Sequence, residues 1–284
     1  MKKIKPNNPS FLGLGVEKAA TSWIFACLYE HPQICIPIKE IDFFSDDKKW
    51  NQGIQSYQNL FHQRCPATTI QGEFSTSYFY QPNVAARIKQ HLPDTKLLVC
   101  LRNPIDRAYS NYRNDIMAGT LSKSITFQEA IKTQRYYLGQ GHYKKQFTEY
   151  LKYFSRDQFH IMVYEDIATN PQAFIQNLFR FLTVDDTFMP DSLTKKINVS
   201  RTPGNVQVEG FTNRIAATLH ESKWGNRFWW LLKQSGLPSL LRKINTDKKE
   251  PERMSISLRG ELNIRFQEDQ KYVENLLNRQ LPWS

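Results

Sequence analysis

A lysine, a threonine and a serine stand close together at Lys18, Thr21 and Ser22, just after the apolar run Phe11-Leu-Gly-Leu-Gly-Val16. The run reads as a buried strand and Ala19 to Glu30 as a helix, which puts the three residues at a strand-to-helix junction. The first N–H groups of a helix have no partner within it and lie at the positive end of its dipole. Such a junction is suited to binding an anion, phosphate above all. Lys18 adds a full charge, and Thr21 and Ser22 add hydroxyl donors. The order of residues is not Gly-x-x-x-x-Gly-Lys-Ser/Thr, so a nucleotide triphosphatase loop fits poorly. A short turn of this composition also caps helices that bind nothing.

Two further groups could do chemistry. Lys96-Leu-Leu-Val-Cys-Leu101 reads as a buried parallel strand, and it ends in Arg102-Asn103-Pro104. A helix opening at Pro104 would carry Ser110 about two turns in, so Arg102 and Ser110 would face the sheet edge where ligands of open α/β sheets bind. The plainer reading of Arg102 is a structural partner of Asp106 or of the helix end. Lys39-Glu-Ile-Asp-Phe-Phe44 sets three charges against three apolar side chains. Glu40 beside aromatics suits a general base, with Asp42 as the other candidate. The same segment is also readable as a surface loop anchored by its aromatics, with its charges in water.

These residues need a scaffold. Strand patterns at Gln33 to Pro37, Thr69 to Phe74, Lys96 to Leu101 and Phe159 to Val163 alternate with helical ones at Pro82 to His91, from Pro104, at Thr126 to Arg135, Tyr143 to Phe154 and Pro171 to Leu182. The alternation predicts a three-layer α/β/α fold of the P-loop type, with a central, mostly parallel sheet. Beyond Thr183 the pattern loosens into a helical C-terminal region. Ser257 to Leu281 reads as one long helix closing on Leu281-Pro-Trp283. The expected organisation is a single domain over 1–284, its core at about 8–190, with a nucleotide-covering loop and helical region at about 191–284. Residues 224–244 hold Trp224, Phe228, Trp229 and Trp230 among basic residues. They read either as a helical excursion with snorkelling cations or as a peripheral membrane contact.

The chain has 284 residues, 40% apolar and 23% charged, which is ordinary for a globular protein. Its net charge of +11 calls for an anionic partner. No block of five or more Lys or Arg occurs, which weighs against nucleic acid. No apolar run approaches the roughly 20 residues of a membrane-spanning helix. The basic start lacks an apolar segment behind it and is not a secretory signal. Cys27, Cys35, Cys65 and Cys100 show no Cys-x-x-Cys spacing, and the default is reduced thiols in a cytoplasmic protein. The six histidines show no metal-ligand spacing, so no metal is expected.

Taken together, these segments resemble the sulfotransferases that use 3′-phosphoadenosine 5′-phosphosulfate (PAPS). Gly15-Val-Glu-Lys-Ala-Ala-Thr-Ser22 is similar to that family's Gly-x-x-Lys-x-Gly-Thr-Thr loop, with Ala20 where glycine is common and Ser22 where threonine is common. Leu101-Arg-Asn-Pro-Ile-Asp-Arg-Ala-Tyr-Ser110 is similar to its 3′-phosphate motif. The Lys39 to Phe44 segment resembles Lys-Glu-x-His-Phe-Phe of the heparan-sulfate-type branch, with Asp42 in place of histidine. Glu73-Phe-Ser-Thr-Ser-Tyr78 resembles Glu-Lys-Ser/Thr-Pro-x-Tyr, with Phe74 in place of lysine. Gly141-His-Tyr143, Val163-Tyr-Glu-Asp166 and Phe266…Leu281-Pro-Trp283 match flanking features.

The resemblance implies sulfuryl transfer from PAPS to an acceptor hydroxyl or amine on a carbohydrate, a lipid or another small or carrier-bound metabolite. It implies Lys18 as stabiliser of the leaving group and Glu40 as base. Lys18, Ala19, Ala20, Thr21, Ser22, Trp23, Arg102, Ser110 and Arg201 would hold the cofactor, whose product is 3′-phosphoadenosine 5′-phosphate (PAP). The alternatives are a P-loop kinase, which would need Gly-Lys-Ser/Thr and a magnesium-holding aspartate, and a non-catalytic binder of anionic glycan or lipid.

Overall fold

The computed structural model describes residues 8–195 and 254–283. The loop around Arg201 and the 224–244 stretch therefore lie outside the described residues. The chain divides into two compact units: Met1–Arg107 with Gly139–Asn198 and Asn263–Ser284, and Ala108–Leu138 with Val199–Leu262.

The first unit holds the sheet. Its strands are β1 (Phe11–Gly15), β2 (Ile34–Cys35), β3 (Ile70–Phe74), β4 (Lys96–Leu101) and β5 (Phe159–Val163), in the order β2-β3-β1-β4-β5, every pair parallel. This is the expected α/β fold. The chain reaches β3 on one side of β1 and then crosses to β4 on the other, so the order reverses at β1. Ligands of such sheets sit beyond the carboxyl ends at that point. Leu97 to Leu101 are all fully buried, each contributing on the order of 1.5–3 kcal/mol. Along the β1–β3 pair phenylalanine faces glycine twice, Phe11 opposite Gly72 and Gly13 opposite Phe74. A Cβ on Gly13 would lie 2.3 Å from the Phe74 ring, and one on Gly72 2.0 Å from the Phe11 ring, so each ring lies over its partner's bare backbone.

Helices connect the strands: α1 (Thr21–Glu30), α2 (Asp47–Trp50), α3 (Ile54–Arg64), α4 (Val84–His91), α5 (Pro104–Ala118), α6 (Phe127–Thr133), α7 (Tyr136–Gly139), α8 (Tyr143–Tyr150), α9 (Asp166–Thr169), α10 (Pro171–Leu182) and α11 (Ile256–Leu277). Asn170 caps α10 by accepting from the Ala173 amide, with Pro171 in its first turn. Phe174, Ile175, Leu178, Phe179 and Leu182 are the buried stripe of that helix. In the second unit, Tyr109, Tyr112 and Phe127 form an aromatic cluster, and Thr126 and Glu129 make a capping box at the start of α6.

One expectation is corrected. Cys35 and Cys65 are joined in a disulfide, with Cα atoms 5.6 Å apart and a sequence separation of 30. β2 lies beside β3, and Cys65 caps the end of the α3 helix that leads into β3, so the fold brings together two cysteines that share no motif. Cys27 and Cys100 are buried free thiols, as expected. Among the described residues no helix is long and apolar enough to cross a membrane.

Candidate active site

The anion loop leaves β1 through a register shift between Gly13 and Gly15. The Val16 amide still bonds the Cys100 carbonyl, 3.0 Å away, which ties the loop to β4. Lys18 and Ala20 then adopt left-handed backbone conformations, with φ of 68° and 56°. A residue at φ 56° cannot continue a right-handed helix, so α1 starts at Thr21 and not at Ala19 as the sequence pattern suggested. Ala20 is the N-cap and supplies no side-chain cap. The Trp23 and Ile24 amides bond back to its carbonyl, while the Thr21 and Ser22 amides open the helix. The Trp23 indole donates to the Ser192 carbonyl at 2.9 Å and packs on Phe174, so only its backbone lies at the loop. Ala19 is fully buried.

Arg102 comes to the same loop from the end of β4. Its Nη1 donates to the Lys18 carbonyl at 2.8 Å, and its guanidinium lies 4.5 Å above the Tyr164 ring. The two groups predicted as separate anion sites are thus in direct contact. Arg102 Nε is buried and has no hydrogen-bond partner among the described residues. The segments expected to flank the site converge behind it. Tyr143 donates to the Arg102 carbonyl at 2.8 Å, and Glu165 accepts from both the Asn103 amide and the Trp283 indole. Asn103 in turn caps α5 through the Ile105 amide. Gly141 admits Pro104 and Phe266, where a Cβ would meet their atoms at 2.8 and 2.9 Å. Ser110 lies on α5 in the second unit.

The Lys39–Phe44 segment straps across the end of β3. Lys39 forms a parallel bridge with Phe74, and the Glu40 amide bonds the Phe74 carbonyl at 2.9 Å. Glu40 and Asp42 are also left-handed, with φ of 57° and 56°. Ile41, Phe43 and Phe44 are buried in the core, where Phe43 stacks on Tyr57. The strap is therefore both the anchored loop and the carrier of the candidate base. The Glu40 carboxylate accepts from the Thr76 amide at 2.8 Å and from the Thr76 hydroxyl at 3.2 Å. Asp42 instead accepts from the Ser77 hydroxyl at 2.6 Å.

Beneath the strap lies Glu73, fully buried. Its carboxyl accepts from the hydroxyls of Tyr57 at 2.5 Å, Tyr78 at 2.6 Å and Ser75 at 2.7 Å. Ser75 Oγ also accepts the Asp42 amide, and Tyr78 Oη accepts the Phe44 amide. One carboxyl thus holds two strap amides, each through a hydroxyl. Burial pushes this carboxyl up to about 7, against the three hydroxyl donors that pull it down. Neither Glu73 nor Thr76 stood out in the sequence as part of the candidate base's setting. The one signal was their place in the Glu73 to Tyr78 segment.

The donor set fits a nucleotide bearing phosphates. An uncapped helix start, the Thr21 and Ser22 hydroxyls, Lys18 and a half-buried guanidinium whose buried Nε has no partner among the described residues are all gathered at the carboxyl ends of β1 and β4.

The sulfotransferase domain family model matches residues 9–205. The chain is similar to heparan sulfate glucosamine 3-O-sulfotransferase 5 of Homo sapiens, 28% identical over 187 residues, covering 62% of this chain and 54% of that protein. It is also similar to the bifunctional heparan sulfate N-deacetylase/N-sulfotransferase 2 of Homo sapiens, 29% identical over 195 residues, covering 62% of this chain and 22% of that one. The chain thus spans about half, or less, of the length of these curated relatives. The crystal structure of a sulfotransferase from Alicyclobacillus acidocaldarius superposes with a TM-score of 0.68 at 25% identity, covering 96% of this chain and 97% of that chain.

Proposed function

The chain belongs to the sulfotransferase family, and from that premise we propose that it transfers a sulfuryl group from PAPS to a hydroxyl or amine of an acceptor. PAPS supplies a sulfuryl group activated by its bond to the 5′-phosphate of PAP. The backbone and side chains of the loop from Lys18 to Ser22 bind that 5′-phosphate, with Thr21 and Ser22 as donors. Lys18 neutralises the charge that builds on the leaving oxygen as its bond to sulfur breaks. Glu40 takes the proton of the acceptor as the acceptor's oxygen or nitrogen bonds to sulfur, and Thr76 orients its carboxylate for that task. Arg102 and Ser110 bind the 3′-phosphate and so select PAPS over ordinary nucleotides, with Trp23 and Arg201 completing the nucleotide site. Acceptor candidates are a carbohydrate, a lipid or another small or carrier-bound metabolite. The Cys35–Cys65 bond favours an oxidising compartment over the cytoplasmic setting expected from cysteine spacing.

The observation that carries this reading is Arg102, with Nη1 on the Lys18 carbonyl and Nε buried without a partner among the described residues. Calorimetry of PAP, AMP and ATP without magnesium, on the wild type and on Arg102→Ala, tests it. The expected result is a strong preference for PAP that the variant loses. Equal or tighter binding of ATP would sink the sulfotransferase reading and favour a kinase.

A further inference from the structure

Helix α1 leaves the anion loop with an outer face that is unusual for a helix lying on a sheet. Ile24, Cys27 and Leu28 are on its buried side. Ser22, Phe25 and Tyr29 follow one another at spacings of three and four residues and share the other side. Such a helix ordinarily turns charged residues to water there. In α1 the one charged residue is Glu30, at its end, and its carboxylate accepts from the Ser192 amide and hydroxyl. The Phe25 and Tyr29 rings stack, with centroids 5.7 Å apart and an angle of 22° between their planes. Tyr29 is 62% exposed, and Ile38, the residue before the strap, is 47% exposed.

This apolar face runs up to the candidate base. Lys39 Nζ lies 5.9 Å from the Phe25 centroid and 3.4 Å from Glu40 Oε1, so ring and carboxylate are no farther apart than those two distances taken together. Ser22 of the anion loop is 3.0 Å from the same ammonium. An acceptor whose hydroxyl meets Glu40 therefore has the aromatic pair within reach of the rest of its body. The charges point the same way. From Gly15 to Phe44 the chain has no arginine, and Glu17, Glu30, Glu40 and Asp42 outnumber Lys18 and Lys39. Recognition of many sulfate or carboxylate groups calls for arginines or clustered lysines, and the loop, α1 and the strap offer a polyanion neither.

We propose that the outer face of α1 is an acceptor subsite, and that the acceptor is an uncharged alcohol with an apolar body: an alkyl or acyl chain on a hydroxyl-bearing head. The inference rests on the PAPS reading above. The head presents its hydroxyl to Glu40, and the chain lies along Phe25 and Tyr29, where it leaves water. An exposed apolar patch that borders a few polar reacting groups has the make-up of a small-molecule site.

Methyl and octyl β-D-glucopyranoside carry the same hydroxyls and differ only in chain length. Each is titrated by calorimetry into the PAP-loaded protein, below the micelle concentration of the octyl compound. A methylene taken out of water is worth about fourfold in affinity, so seating a few of them on the aromatic pair favours the octyl compound by about thirtyfold or more. Phe25→Ala and Tyr29→Ala are each expected to remove most of that preference, while the PAP dissociation constant moves less than about threefold. Thermal melting checks folding, and Tyr29→Ala carries the test alone if Phe25→Ala does not fold, because the Tyr29 side chain is largely exposed. Equal binding of the two glucosides, or an octyl preference that survives Tyr29→Ala, would overturn the proposal. So would tighter binding of a heparan sulfate oligosaccharide than of octyl glucoside, or a dimer in sedimentation that Tyr29→Ala dissociates. If the wild type fails to prefer PAP over AMP, the cofactor reading has failed, and that result appears before any glucoside is added.

Discussion

Replacing Glu73 with glutamine keeps the shape of the buried hub and removes its titration. In the folded chain burial raises the carboxyl to about 7, whereas an unperturbed glutamate titrates near 4.5. Between those two pH values the folded state holds a proton that the unfolded state has released. Stability then falls as pH rises, by about 1.4 kcal/mol per pH unit. Below 4.5 both states are protonated and above 7 both are ionised, so the contribution is flat outside the window. Across the window the loss amounts to about 3 kcal/mol, set by the roughly 2.5-unit gap. Other carboxylates also titrate over this range, many with the opposite sign, so the quantity to follow is the difference between the two proteins.

Urea unfolding followed by fluorescence of the six tryptophans, from pH 4.5 to 8, gives that difference directly. The wild type should lose about 3 kcal/mol relative to Glu73→Gln over the window, with most of the change between pH 5 and 7. Tyr57, Tyr78 and Ser75 can each accept from an amide as well as donate, so the glutamine keeps partners at the positions the carboxyl oxygens occupy. A difference that stays level from pH 4.5 to 8 would refute the reasoning. It would mean that the three hydroxyl donors fully offset the desolvation of the charge.

Two other outcomes bear on the site. Glu40→Gln should lower transfer of labelled sulfate from PAPS by about a hundredfold or more, while the PAP dissociation constant moves less than about threefold. Near-normal rates would shift the base role to Asp42. Ala20→Gly should raise the melting temperature by about 1–4 °C, because the left-handed conformation costs alanine about 1–2 kcal/mol and glycine's greater freedom when unfolded takes back only part of that. A lower melting temperature would show that the Ala20 methyl packs usefully against the core.

The sheet was legible because its strands bury both faces. Lys96–Leu101 and Phe159–Val163 run between the same limits in sequence pattern and structure, as does the Pro171–Leu182 helix with its wide apolar stripe. The α3 helix was not foreseen, since Tyr57 and Phe61 are its only buried side chains and glutamine, serine, asparagine and histidine fill much of the rest. The disulfide was invisible for a different reason. Its cysteines are joined by the parallel pairing of β2 with β3, a contact that no local pattern encodes. Glu73 was legible only as the start of the Glu73–Tyr78 segment, because its importance lies in hydroxyls contributed by α3 and by the segment after β3. Lys18, Arg102 and the strap were legible as types and spacings. That Arg102 would hold the Lys18 carbonyl was not.

Four of the seven non-glycine residues with left-handed backbones among the described residues lie in the anion loop and the strap, the others being Asn83, Thr183 and Asn278. Lys18, Ala20, Glu40 and Asp42 all hold left-handed backbones that side chains other than glycine avoid, at a cost of about 1–2 kcal/mol each. Such strain persists only where surrounding contacts fix it. Each of these four has its own clamp. Arg102 holds the Lys18 carbonyl, and the Trp23 and Ile24 amides hold that of Ala20. Glu40 is fixed through its amide by Phe74 and through its carboxylate by Thr76, and Asp42 through its amide by Ser75, which rests on Glu73. The clamps come from the carboxyl end of β4, from the first turn of α1 and from the end of β3 and the segment after it. Those parts flank the point where the strand order reverses, so the strain is concentrated where the topology already opens the sheet to a ligand. A loop that merely capped a helix, or a strap that merely covered the core, would have no need of four strained residues with separate clamps. The proposed transfer, which needs the Glu40 carboxylate and the Lys18–Ser22 loop at a fixed separation, accounts for them.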